Sequence, residues 1–240
     1  MLKAMIEKIE AMAGPKVYHI GEEDFASKEL VRVEPKKDFP KSIGLTGLDS
    51  VCKMVRNEAA DLFPEDQILI QVADYRTVKV FTTLDGEMDR YSLYTCEADT
   101  PRVRSNGFMT HEEAVVQLRS LYIPNEDLTY LLKLLSGIST ESKVTSNDNG
   151  VSQTVEAKSG VALTASVEVR PYVNLQPFRT FLEVNQPESM FLLRLKEGGN
   201  VGLFEADGGV WKLEATRNIA GYFEEQLKDL IERGQVVVLR

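Results

Sequence analysis

The chain has 240 residues, of which 43% are hydrophobic and 27% charged, with a formal net charge of −9. That length and composition support one large globular domain or two small ones and exclude an intrinsically disordered chain. The negative balance opposes sequence-independent nucleic-acid binding, which draws on a basic face to neutralise phosphates.

No apolar run approaches the roughly 20 residues of a membrane-spanning helix. Lys3, Glu7, Lys8 and Glu10 interrupt the apolar positions at the start, so a signal peptide is not expected. Leu2, Met5, Ile6, Ile9 and Met12 instead fall at helical spacing, and Gly14-Pro15 ends that helix. A short strand follows at 16–20, and 25–43, with Pro35 and Pro40, reads as an extended connector or edge strand. Thr46 with Asp49 predicts a capping box opening a helix to about residue 62, with Leu48, Val51, Cys52, Val55 and Ala59 as its buried stripe.

Residues 68–73 and 78–83 read as strands around the bend Asp74-Tyr75-Arg76, and Asp85-Gly86 turns the chain into 90–96. The stretch 64–96 therefore predicts an antiparallel meander. Residues 101–108 read as a loop. Thr110 and Glu113 form a second capping box, and Asn125 caps a third helix with Leu128, Leu131, Leu132 and Leu135 facing inward. Gly137 is its stop.

After residue 140, strands at 143–148 and 151–157 flank Asn149-Gly150, the strongest short hairpin signal. Residues 161–169 alternate as a half-buried strand. Pro171, Pro177 and Pro187 punctuate an irregular passage containing Phe178 and Phe181. Strands led by Phe191, Val201 and Val210, a helix over 217–233 and a strand over 235–239 predict a compact module with one covering helix. The fold class is α+β, with antiparallel meanders and hairpins packed against amphipathic helices. A soft boundary near 138 divides an α+β region, 1–138, from a β-rich region with a covering helix, 139–240. One integrated domain is the alternative.

No motif specifies a reaction. His19, His111, Cys52 and Cys96 lack zinc-ligand spacing, and the two cysteines read as buried thiols that fit a cytosolic setting. There is no Gly-x-Ser-x-Gly elbow. The pairs Gly198-Gly199 and Gly208-Gly209 lie between expected strands, whereas a phosphate cradle leads into a helix. Glu205, Asp207 and Glu214 read as wet-face carboxylates of a meander, not as a two-metal set. No catalytic residue, cofactor or metal is expected. Arg102, Arg104 and Phe108 in one loop, and Arg170, Tyr172 and Arg179 in another, combine cations with rings. Such mixtures can bind single-stranded nucleic acid by backbone attraction and base stacking, but ordinary loop anchoring or a subunit contact is the favoured reading.

Four stretches carry a resemblance. They are 146–155, 169–181, Gln186-Pro187-Glu188-Ser189, and 204–215 with its Asp207-Gly208-Gly209-Val210-Trp211. Together they resemble a protein family of Gram-positive temperate phages and prophages whose activity is not established, over most of the chain. Part of the C-terminal half is also similar to the YfdQ-like prophage proteins. The resemblance implies a phage accessory role in the host cytoplasm and carries no catalytic residues.

The resulting expectation is a non-enzymatic phage or prophage protein that self-assembles into a homo-oligomer and acts by binding, with a host or phage protein as further partner. Strand edges that need cover motivate the self-assembly. The Pro-containing segments 31–41 and 171–187 are the expected arms. A single-stranded nucleic-acid-binding protein of phage recombination or replication, and an inhibitor of host anti-phage defence, are the alternatives.

Overall fold

The computed structural model describes residues 2–14, 16–20, 23–26, 41–59, 67–86, 88–137, 143–145, 153–156, 166–196 and 199–240. They form two compact units, Met1–Phe39 and Pro40–Arg240. The fold is mixed α+β, built largely from antiparallel hairpins.

The first unit holds helix α1 (Leu2–Met12) and an antiparallel pair, β1 (Val17–Ile20) with β2 (Glu23–Ala26). The arm expected at 31–41 lies outside the described residues except for Lys41.

In the second unit, β4 (Ile68–Val72), β5 (Thr77–Thr82) and β6 (Ser92–Glu97) form the expected meander. Its two outer neighbours are parallel: β3 (Ile43–Leu45) beside β6, and β15 (Val236–Leu239) beside β4. Period-two alternation puts Ile68, Ile70, Val72, Val78, Val80, Tyr94 and Cys96 on one face. Helices α2 (Leu48–Met54), α5 (Trp211–Gln226) and α6 (Lys228–Glu232) cover that face, and Leu48, Val51, Ile219, Phe223 and Leu227 complete the first core.

The second sheet is antiparallel throughout, in the order β7 (Gly107–Met109), β14 (Asn200–Glu205), β13 (Ser189–Lys196), β12 (Tyr172–Pro177), β8 (Tyr122–Ile123). Helices α3 (His111–Ser120) and α4 (Glu126–Ser136) pack on one of its faces. Ala114, Leu118, Leu128, Leu131 and Leu135 meet Val173, Leu175, Phe191, Leu193 and Leu203 in a second core. Both helices start as the sequence indicates. Thr110 and Glu113 make the full reciprocal capping box, and Asn125 Oδ1 accepts from Leu128 N at 2.8 Å. Leu134 is buried on α4 where Leu132 was expected, and Leu132 is half-buried.

A third sheet pairs β9 (Lys143–Thr145), β10 (Gln153–Glu156) and β11 (Ser166–Val169) in the order β11-β10-β9. The antiparallel register Thr145↔Thr154 is the one an Asn149-Gly150 hairpin requires, and that turn itself lies outside the described residues.

Several expectations are corrected. Residues 171–187 are not irregular throughout: β12 occupies an interior place in the second sheet, with Pro177 at its last position. The 101–108 loop ends in β7, since Gly107 and Phe108 pair with β14. Residues 210–214 are not a strand. Asp207 Oδ1 accepts from Gly209 N at 3.0 Å, Gly208 and Gly209 take φ of 65° and 82°, and this turn feeds α5 directly.

The compact C-terminal module is also divided. Strands β13 and β14 belong to the second sheet, whereas β15 crosses to the first. Both five-stranded sheets thus take strands from either side of residue 138. Finally, α2 is not capped by Thr46 and Asp49. Its N-cap is Gly47, without a side-chain bond, and Glu183 Oε1 accepts from Leu48 N at 2.8 Å. A Cβ on Gly47 would lie 2.8 Å from that oxygen, so a glycine admits the remote carboxylate. The helix continues as a π-helical turn over Val55–Ala59, and its expected end at residue 62 lies outside the described residues.

Candidate functional site

Three surfaces gather the chemistry of the molecule. The first is a cleft of about 200 Å³ between the two five-stranded sheets, lined by Tyr75, Arg102, Arg179, Phe191, Glu205 and Trp211 among others. Arg179 comes from the loop between β12 and β13. Gln186, 4% exposed, shapes that loop by accepting from the backbone N–H of Arg179 and Thr180 at 3.0 and 3.2 Å. The Thr180 hydroxyl donates to the Tyr75 carbonyl at 2.6 Å, tying the loop to the β4–β5 bend.

So held, the Arg179 guanidinium lies 3.7 Å from the centre of the Trp211 ring, donates to Glu205 at 3.1 Å and also donates to the Ser189 hydroxyl. Burial lowers its pKa, and the nearby Glu205 and Asp207 carboxylates oppose that effect. Tyr75 meets Trp211 edge-on at 4.7 Å. Arg102 sits on a loop closed by Asn106, whose left-handed φ of 61° lets its N–H reach the Leu203 carbonyl at 2.7 Å.

The second surface is the face of the antiparallel sheet opposite α3 and α4. Register puts Tyr172, Leu192 and Phe204 in one row and Arg194, Gly202 and Phe108 in the next. Lys196 Nζ stands 3.8 Å from the centre of the Phe108 ring, and Phe108 and Phe204 meet edge-to-face at 5.4 Å. A Cβ at Gly202 would lie 2.7 and 2.8 Å from those two rings, so the glycine lets them close over the strand. The third surface is the apolar stripe of α1. Leu2, Met5, Ile9 and Met12 are 76%, 65%, 61% and 79% exposed.

The six candidate contacts separate. Arg102 and Arg179 both line the cleft. Phe108 and Tyr172 share the sheet face, where Tyr172 is exposed and Phe108 half-buried. Arg104 and Arg170 anchor loops to helices. Arg104 pairs with Glu113 at 3.2 Å, while Arg170 pairs with Asp127 at 3.3 Å and stacks 4.4 Å from the Tyr130 ring centre. These exposed pairs contribute little energy individually, but they occupy the cations. Tyr75, Trp211, Phe204 and Lys196 belong to these surfaces but not to the six candidates. Trp211 had a signal, as the chain's single tryptophan beside Gly208-Gly209.

The remaining reactive groups have structural roles. Burial pushes the Cys52 thiol up to about 11 and the Cys96 thiol up to about 12, so both stay protonated at neutral pH. His111 Nε2 lies 2.8 Å from the Leu135 carbonyl oxygen, and the residue is half-buried. Glu205 is held by Arg179, Asp207 accepts from the Ser189 hydroxyl at 2.8 Å, and Glu214 is exposed in the first turn of α5. Among the described residues, no three of His, Cys, Asp or Glu gather as a metal set. No family model, curated protein or solved structure matches this chain.

Proposed function

We propose that this protein is a non-enzymatic phage accessory protein that self-assembles and acts by binding, with α1 as the self-association element. The observation that carries this reading is the exposed stripe of α1. Its positions 2, 5, 9 and 12 follow the three-four spacing of a two-helix seam. An 11-residue helix is marginal on its own, and each large apolar side chain gains about 1.5–3 kcal/mol on burial. A second copy of the helix suits the seam. Lys3 and Lys8 balance Glu7 and Glu10, so the pairing is electrically neutral in a chain that is otherwise acidic.

Ile9→Glu tests this. Light scattering is expected to show the native mass falling toward that of one chain, with the far-ultraviolet spectrum kept, because both large cores lie in Pro40–Arg240. An unchanged native mass rejects α1 as the contact. The sequence likeness to temperate-phage proteins supports the host cytoplasm as the setting. Among the described residues, no helix is long and apolar enough to cross a membrane.

One observation favours a second reading, single-stranded nucleic-acid binding. The open sheet face aligns Tyr172, Phe204 and Phe108 with Lys196 and Arg194, and rings with cations on a sheet are a stacking platform. Tyr172→Ala with Lys196→Ala is then expected to weaken oligodeoxythymidine binding about tenfold or more, read by fluorescence anisotropy at low salt. Absence of binding by the unmodified protein at low salt rejects it.

A further inference from the structure

The cleft between the sheets differs in charge from the rest of the molecule. The chain carries −9 overall, yet the cleft lining holds Arg76, Arg102 and Arg179 against Glu205 as its only carboxylate among the described residues. Glu205 is engaged, since Arg179 donates to it at 3.1 Å. Arg76 borders a neighbouring depression that contains Asp74 and Glu97, whereas the neighbouring depression that Arg102 borders is lined by no carboxylate among the described residues, and Arg102 is exposed.

The wall behind it is short of acceptors. Trp211 is 5% exposed and Arg179 8% exposed, and both line the cleft. Their Nε1–H and Nε–H groups are buried without a hydrogen-bond partner among the described residues. Two unpartnered donors side by side are unusual in a folded interior, where buried polar groups are nearly all satisfied. An incoming oxygen acceptor answers both the positive mouth and the donor-rich wall. The space, about 200 Å³, takes a small ion or the charged end of a larger molecule.

We propose that this cleft is a binding site for a small oxyanion, a phosphate or carboxylate group, with Arg102 as its ion-pair partner and the Arg179–Trp211 wall as its donor surface. The site lies within Pro40–Arg240 and does not depend on self-association through α1.

The chain's single tryptophan reports on the site directly. Trp211 emission is titrated with inorganic phosphate and, separately, with acetate, against sodium chloride at matched ionic strength. A saturable change with phosphate identifies a phosphoryl ligand, and one with acetate alone identifies a carboxylate; either supports the site. Arg102→Ala, a change at an exposed loop position, is expected to weaken the response about tenfold or more, the usual worth of a charge-assisted hydrogen bond. Trp211→Phe removes the indole donor and keeps a ring. It is expected to reduce the upward shift in melting temperature that the same anion gives the unmodified protein. No saturable change with either anion, an equal response to chloride, or unaltered affinity in Arg102→Ala overturns the proposal.

Discussion

Gln186→Leu is expected to destabilise the protein by several kcal/mol. The Gln186 side chain is buried and fully used. Oε1 accepts from Arg179 N and Thr180 N at 3.0 and 3.2 Å, and Nε2 donates to the carbonyls of Phe181 and Val184 at 2.8 and 3.3 Å. Leucine has a similar volume and can replace none of these bonds. Each buried amide left without an acceptor costs about 1–3 kcal/mol, so the two amides alone account for about 2–6 kcal/mol. The loop they hold also carries Arg179 and Thr180, so the Arg179–Trp211 stack and the tie to Tyr75 should loosen together. Chemical denaturation measures the first effect and Trp211 emission the second. A loss below about 1 kcal/mol, outside the range for two orphaned amides, would show that water or another side chain satisfies them.

Phe223→Ala is the second large effect. Phe223 is 0% exposed on the inner face of α5, packed with Ile219, Ala220 and Leu227 over the first sheet. Deleting a buried phenyl ring removes its transfer energy and leaves a cavity, together about 3–5 kcal/mol. Leu213, on the same helix, is 59% exposed, and Leu213→Ala is expected to change stability by less than about 0.5 kcal/mol. The contrast between two positions on one helix is the informative quantity. Similar losses at both would mean that α5 buries a different face.

What the sequence makes legible divides by range. Helices α3 and α4 were legible because Thr110, Glu113 and Asn125 act within three residues of the groups they cap. The meander β4–β6 was legible for the same reason, with bends at Asp74 and Asp85 and period-two burial between them. The start of α2 was not, because its capping carboxylate, Glu183, lies 135 residues away. Strand β15 was recognised as a strand, but its parallel partner β4 is chosen by the packing of α5 and α6 rather than by any local turn. The stretch 210–214 alternates like a strand, and only the Asp207 turn makes it helical.

The candidate residues follow the same pattern. Arg104 and Arg170 combine charge with nearby rings in the sequence, yet in the fold the first-turn acids of the two capped helices, Glu113 and Asp127, pair with them. Arg102 and Arg179, on loops far apart in sequence, line one cleft only in the fold. Trp211 falls in a strand-like stretch of the sequence, and the Asp207 turn puts it at the start of α5, where it lines the cleft. Phe204 and Lys196 meet the Phe108 ring across Gly202, which register sets opposite Phe108.

Self-association is central to the proposed function, and the native mass of the unmodified chain tests it most directly. Size-exclusion chromatography with in-line light scattering, run across a dilution series, is expected to return an integral multiple of the single-chain mass at the highest concentration and a fall toward one chain on dilution if the contact is weak. A single-chain mass at every concentration, with α1 still helical, would contradict it.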